Sequence, residues 1–501
     1  MVLIIKQLGL DFGSSATTVV GFAEGIPDPI VFTPRDKTCF FSALAKRTDA
    51  DEYVFFDKAF ENLPGYKFHG EFKENITTES TFVYRYLKEV FTEVRDMKSN
   101  DGSERSSQVR GASDFDFSQL ETVCYGYPEY ADNENKIDYC NKMNEILPTV
   151  LKEVFGKNDI KIISHGEPQL ASLAYYCERR KKSDMNFNAD DTMLVLDFGG
   201  HTLDIALVKI AREGMLKPIK CKSSQIMRSL GTGKTINSLI SLQVEALPYD
   251  KGIEDAKRHL FNNKPNSGSE RLFPLKYSRY DEDLEKYVDR SVLLTYNERG
   301  KYIFVSEIVD GVTTMDGKAN ISIVYNEACI FIEQFLKGAG ICPHSIKHLL
   351  FTGGTTRIQY LREEILNTIG EWLRSDCNVI QTDQFGGNSD FVFYDPLTLL
   401  YTLPYISFTG LPDKEYKISS ENVVALGAAL YALDPELLEA GDNSGGNRPI
   451  DTPPPPSNLS EIEVLVKRLY YDYKSCIKDN YKNGFCDACK DLLDLIDLSK
   501  P

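Results

Sequence analysis

The sequence predicts an α/β protein of duplicated design that ends in a helical tail. Three observations lead there. Apolar, strand-like runs alternate with amphipathic helical stretches over most of the 501 residues, the pattern of sheets covered by helices. The tetrapeptide Leu10-Asp11-Phe12-Gly13 returns 186 residues later (11 to 197) as Leu196-Asp197-Phe198-Gly199, and each copy ends one apolar run and precedes another. Near residue 440 the pattern stops. Gly445-Gly446 and Pro453-Pro454-Pro455-Pro456 follow, a composition that forms an extended spacer rather than a packed element.

Taken in order, residues 2–10, 17–21, 160–164, 193–196, 203–210 and 346–352 read as strands, being short, apolar and bounded by turn residues. Residues 78–94, 168–180, 328–338 and 423–433 carry apolar positions at three- and four-residue steps and read as helices. Polar stretches at 98–114, 181–191 and 262–270 read as surface loops. Past the spacer, Leu459, Ile462, Val466, Leu469, Tyr473 and Ile477 form one helical stripe, with a second over 485–498. The expected units are therefore 1–192, 193–434, a linker at 435–458 and a helical tail at 459–501.

The charge balance, 57 basic against 74 acidic residues for a net −17, argues against nucleic-acid partners and against anionic membrane surfaces. No apolar run approaches the ~18 residues of a membrane span. The opening run lacks a basic flank and leads into Asp11, which reads as a strand rather than a signal peptide. Eleven mostly isolated cysteines read as reduced thiols in a cytoplasmic protein.

An Asp at a strand end followed by Gly turns main-chain N–H groups and nearby hydroxyls toward one point. That makes an anion cradle beside a carboxylate able to hold a hydrated cation. Asp197-Phe198-Gly199-Gly200-His201-Thr202-Leu203-Asp204 is the fuller copy, with two glycines, a hydroxyl and a second carboxylate. Other motifs carry less. Gly231-Thr232-Gly233-Lys234-Thr235 has Arg228 where a P-loop needs its first glycine. Cys486 and Cys489, even with Cys476, do not complete a four-ligand zinc site. The six histidines read as structural.

The order of these motifs resembles the nucleotide-binding domain of the seventy-kilodalton heat-shock chaperones, within the actin and sugar-kinase ATPase superfamily. Residues 8–22 are similar to its first phosphate motif, with Asp11, Gly13, Ser14 and Ser15 in matching places. Residues 122–128 resemble the strand and turn before the interlobe helix, and 162–174 the first connecting helix, whose Glu maps to Glu167. Residues 197–204 resemble the second phosphate motif, and Gly231 falls at the glycine turn beyond it. Glu254, Lys257 and Arg258 match the residues that clamp adenine and ribose; Gly353, Gly354, Thr355 and Arg357 lie in the adenosine motif. Residues 423–429 resemble the second connecting helix, preceded by Glu421 where the family has Asp.

The resemblance covers about residues 3–434 and implies a two-lobed actin-like ATPase fold built from duplicated ribonuclease-H-like units, with ATP or ADP and Mg²⁺ in the cleft. It implies that Asp11 and Asp197 hold Mg²⁺ through water, that Gly13–Ser15 and Gly199, Gly200, His201 and Thr202 hold phosphates, and that Glu167 and Asp204 position metal shell and attacking water. Lys73, or alternatively Lys67, would stabilise the γ-phosphate. The implied activity is ATP hydrolysis that opens and closes the cleft to regulate a protein client or partner, with a nucleotide-exchange factor as a further implied partner. An ATP-controlled filament or scaffold and a small-molecule kinase are the alternatives within the superfamily. The sequence departs from the family at His201, which replaces a glycine, and at Ser14-Ser15, which replace two threonines. The stretch after Pro435 is too short for the family's peptide-binding β-sandwich, and its acidic-leucine linker is missing.

Overall fold

The first strand of the computed structural model, β1 (Val2–Phe12), runs two residues past its apolar pattern and takes Asp11 into the sheet edge. The structure describes residues 2–25, 29–34, 39–60, 64–70, 72–73, 75–97, 114–129, 133–182, 187–200, 202–211, 215–223, 232–244, 251–261, 270–281, 286–297, 300–309, 312–381 and 422–438. By its internal contacts the chain divides into Met1–Glu439 and Ala440–Pro501. The second unit, with the expected helical hairpin, lies outside the described residues, as do most of the loops expected at 98–114 and 262–270.

From β1 the chain continues through β2 (Ala16–Ala23), β3 (Ile30–Phe32) and the short β4 (Phe40–Phe41). A small sheet follows, formed by β5 (Leu44–Arg47), β6 (Tyr53–Phe55) and β7 (Tyr66–His69). Helix α1 (Ser80–Asp96) buries Val83, Tyr86, Leu87, Val90, Phe91 and Val94, a stripe at alternating three- and one-residue steps that fixes one face inward. Next come β8 (Asp114–Asp116), β9 (Thr122–Tyr127), α2 (Asn133–Phe155), β10 (Lys161–Gly166) and α3 (Glu167–Lys182).

The second half opens with β11 (Thr192–Phe198), β12 (Leu203–Ile210) and β13 (Leu216–Ser223), then α4 (Thr232–Val244) and α5 (Lys251–Leu260). A four-stranded antiparallel meander, β14 (Glu270–Asp281), β15 (Lys286–Asn297), β16 (Tyr302–Val309) and β17 (Val312–Asn320), stands as a sheet of its own. The half closes with α6 (Ser322–Gly338), β18 (Ile346–Thr352), α7 (Gln359–Ile369), β19 (Leu373–Gln381) and α8 (Val423–Leu433). The protein is thus a mixed α/β structure with several sheets. No helix among the described residues is long and apolar enough to cross a membrane.

The two large sheets obey one plan. One runs β10-β9-β1-β2-β3 and the other β19-β18-β11-β12-β13. In each, the central strand pairs antiparallel with the next strand in sequence, which pairs antiparallel with the third; on its other side two later strands add in parallel. The register repeats as well: Asp11 faces Thr18 and Phe12 faces Thr17, while Asp197 faces Asp204 and Phe198 faces Leu203.

The connecting helices are exchanged between the halves. Helix α3 leaves the first sheet and packs on β11 and β12, whereas α8 leaves the second and packs on β1, β9 and β2. They cross where Gly427 meets the main chain of Leu170, so closely that a Cβ at Gly427 would stand 1.9 Å from the Leu170 carbonyl oxygen. Helix α8 also lies flat on β1, where a Cβ at Gly9 would come within 2.1 Å of the Ala425 carbonyl. Val20, Phe22, Leu170, Ala174, Val195 and Leu350 join the small residues of α8 in one central core. Separate cores lie on the outer faces, one under α1 and α2, the other joining the second sheet to the meander.

Helix α6 starts earlier than its sequence pattern. Helix α6 begins at Ser322 rather than 328 because Asn320 Oδ1 accepts hydrogen bonds from the N–H and hydroxyl of Ser322, at 3.0 and 2.7 Å, tying up donors of the first turn. Lys67, the alternative lysine for the γ-phosphate, is exposed on β7 and pairs with Lys46 of β5.

Candidate functional site

Both Asp-Phe-Gly segments end as closed hairpins. Gly13 N–H donates to the Ala16 carbonyl at 3.0 Å and Gly199 N–H to the Thr202 carbonyl at 2.9 Å. The hairpins meet: a Cβ on Gly200 would stand 2.6 Å from Ser15 Oγ. A third turn, after β18, closes on the same place. Gly353 has φ of +83°, and a Cβ there would lie 2.2 Å from the Phe198 carbonyl and 2.7 Å from Asp197 Oδ1. Only glycine combines that dihedral with that proximity. Thr356 Oγ1 donates to the Gly353 carbonyl at 2.7 Å and holds the turn.

Lys73 arrives from the segment before α1 and Glu167 from the first turn of α3. Both are buried, with Lys73 Nζ 3.0 Å from Glu167 Oε1 and 6.0 Å from the centre of the Phe12 ring. Around this pair lie Asp11, Asp197 and Asp204. Burial, then the charge of Glu167, pushes Asp11 up to about 7 against the opposing pull of Lys73. Burial also drives Asp197 well above the usual carboxylate range, with Glu167, Asp204 and Asp11 adding to the effect and Lys73 opposing it. Four carboxylates thus share one poorly solvated place with a single lysine among these five residues, and their mutual repulsion favours keeping some of them protonated.

Among the described residues, no three His, Cys, Asp or Glu side chains stand close enough to hold a metal directly. The excess of acidic groups over Lys73 nevertheless suits a divalent cation approached through its water shell. The donor set is all oxygen, as Mg²⁺ requires.

Asp204 is held on both oxygens: Oδ2 accepts from Thr202 Oγ1 at 2.6 Å and Oδ1 from the backbone N–H of Glu129 at 3.0 Å. The second contact joins the two halves. The Glu129 side chain accepts from Gln169 Nε2 at 2.6 Å and lies 3.7 Å from Lys136 Nζ. A Cβ at Gly166 would stand 2.1 Å from Glu129 Oε1 and would displace the Glu129 and Gln169 side chains from this arrangement. The sequence pattern pointed to neither Glu129 nor Gln169. A carboxylate directly after Pro128, in an otherwise apolar strand end, was the available signal.

The structure therefore brings Asp11, Gly13, Ser14, Ser15, Lys73, Glu167, Asp197, Gly199, Gly200, Thr202, Asp204 and Gly353 to one locus. Gly354 is exposed and Thr355 buried in the 3₁₀ turn Gly354–Arg357 after Gly353. Helix α5 buries Ile253, Ala256 and Leu260 against the meander, so the backbone positions of Glu254, Lys257 and Arg258 fall on the rest of its circumference; Lys257 is half-buried. His201, Gly231 and Glu421, and the side chains of Glu254, Arg258 and Arg357, lie outside the described residues. No protein-family model matches the chain.

Proposed function

We propose that this protein binds and hydrolyses ATP with Mg²⁺, as a divergent, chaperone-like relative of the seventy-kilodalton heat-shock nucleotide-binding domain. In this reading the two halves, 1–192 and 193–434, are the lobes of an actin-like fold, each a ribonuclease-H-like unit. One observation carries it. Two halves with the same sheet plan and register deliver their Asp-Phe-Gly hairpins, together with a third glycine turn, to one acidic cluster around Lys73. A duplicated pair of anion-cradling hairpins, backed by carboxylates and one ammonium, suits a polyphosphate better than a neutral ligand.

The chain's own groups divide the work. Main-chain N–H groups at the two hairpin tips, Ser14–Ser15 and Gly200–Thr202, and the hydroxyls of Ser14 and Ser15 hold phosphate oxygens, while Gly13, Gly199 and the Thr202 hydroxyl close the hairpins behind them. Asp11 and Asp197 hold the water shell of the cation. Glu167 and Asp204 orient the attacking water and receive its proton. Lys73 places positive charge where the γ-phosphate develops negative charge. Mg²⁺, when bound, neutralises the polyphosphate. Catalysis of this kind is positioning and electrostatics. Since α3 and α8 each cross to the opposite half, a change at the hairpins would be felt where the helices cross, and the cycle would report to a protein partner as cleft opening and closing.

The test is ATP turnover by the purified protein with Mg²⁺, beside Asp197→Asn. Loss of one preorganised electrostatic contact lowers the rate by about 10²–10³. A folded variant with near-wild-type turnover removes the assignment.

A further inference from the structure

Behind the first hairpin stands Ser42, directly after β4. It is buried, and it grips the hairpin twice. Its backbone N–H donates to the Ser15 carbonyl at 3.1 Å, and its hydroxyl donates to the Gly13 carbonyl at 2.6 Å. With that proton committed, Ser42 Oγ accepts from Thr17 Oγ1, 3.0 Å away on β2. The hydroxyl of Tyr86, buried on α1, lies beside the side chains of Thr17 and Ser42 and donates to the Phe40 carbonyl at 3.4 Å. None of these residues touches the acidic cluster through a charge of its own.

The peptide unit is planar and trans, so its C=O and N–H point in opposite directions. A Gly13 carbonyl drawn to Ser42 therefore turns the Ser14 N–H away from Ser42, and removes a carbonyl oxygen that would repel an anion. The Ser15 carbonyl is withdrawn in the same way. The second hairpin has Thr202 and Asp204 as its internal tie, whereas the first borrows its tie from a residue 29 positions away.

We infer that Ser42 is a positioning residue: its hydroxyl sets the Gly13–Ser14 peptide in the orientation that binds a phosphate group, with Thr17 and Tyr86 as its buried support. The inference rests on the proposed reading of this hairpin as a phosphate cradle, and it assigns the preorganisation of that cradle to a side chain outside it.

The experiment compares wild type, Ser42→Ala and Ser42→Thr by calorimetric titration with adenosine, ADP and ATP, each with Mg²⁺. Loss of one buried neutral hydrogen bond should weaken ADP and ATP binding about five- to tenfold in Ser42→Ala. Adenosine affinity should stay unchanged, and Ser42→Thr should restore the polyphosphates. A structural role alone would weaken all three ligands in proportion, and that result, or an unchanged ATP affinity in folded Ser42→Ala, overturns the inference. Should Ser42→Ala prove insoluble, Thr17→Val removes the supporting donor and is read by the same ratio of ATP to adenosine affinity. A wild type that binds no nucleotide would instead refute the reading of the site itself.

Discussion

Lys73 and Glu167 form a buried ion pair inside a cluster whose other charges are all negative, and this makes the two halves of the pair unequal. At 3.0 Å and an effective dielectric near 20, the gross attraction is about 5–6 kcal/mol, before desolvation. Removing Lys73 leaves Glu167 buried and unpaired, and it also strips from Asp11 and Asp197 the lysine charge that opposes their repulsion. Lys73→Met should therefore cost the upper part of the range for breaking a buried pair, about 3–5 kcal/mol. Removing Glu167 leaves Lys73 still flanked by Asp11 and Asp197 and relieves a repulsion that both feel. Glu167→Gln should cost about 2 kcal/mol less than Lys73→Met. The assay is urea unfolding at pH 8 with chelator, comparing midpoints at equal slope. Equal losses for the two variants would show an isolated salt bridge and refute the coupled cluster.

Other consequences concern pH, turn geometry and the choice of lysine. Asp11 is raised in the folded state, so the folded protein binds its proton more tightly; the contribution of Asp11 to stability should fall as pH rises from about 4 and level off above about 7. For a shift from 3.8 to about 7, the loss is on the order of 2 kcal/mol at pH 5 and 4 kcal/mol at pH 8. Asp11→Asn should flatten that slope in cation-free melts, and an unchanged slope would place the titration elsewhere. Gly353→Ala should abolish nucleotide binding, because its Cβ meets the Phe198 carbonyl at 2.2 Å under a φ of +83°, whereas Gly354→Ala, with nothing within 4 Å, should bind as wild type does. Equal behaviour of the two variants in calorimetry would contradict the turn geometry. Lys67→Met should leave turnover within a few-fold, and Lys73→Met should lower it by about 10² or more; the reverse order would move the cation to β7.

Much of the frame was legible because it is written in local pattern. Residues 203–210 and 346–352 form strands, and 423–433 a helix, at the expected bounds: the helix is an unbroken apolar run, and the strands are mostly apolar runs interrupted by Asp204 and Lys209 and by Lys347 and His348. The spacing of the two Asp-Phe-Gly copies foretold a repeat, and the shared register of β1–β2 and β11–β12 is its structural form. The meander was not legible. Its strands mix charges with apolar residues, and β14 contains Pro274, so only one face is written in the sequence and the pairing is made by hairpins, the first of two 12-residue strands. Helix α2 runs through Pro148, a residue that local pattern treats as a helix breaker. At the site, strand-end carboxylates could be read from motif order. The bond from Glu129 to Asp204 spans 75 positions and the staple from Ser42 to Gly13 spans 29. Contacts of that kind depend on how the halves fold together, and no short spacing encodes them.

The central claim is that the acidic cluster between the paired hairpins is a polyphosphate site completed by a divalent cation. Calorimetric titration of the full chain with ATP, in the presence and absence of Mg²⁺, tests it most directly. The account predicts saturable one-to-one binding that Mg²⁺ tightens at least tenfold at pH 8, with the tightening lost in Asp197→Asn. Binding of equal strength with and without Mg²⁺, or an Asp197→Asn protein that responds to Mg²⁺ as wild type does, would contradict it.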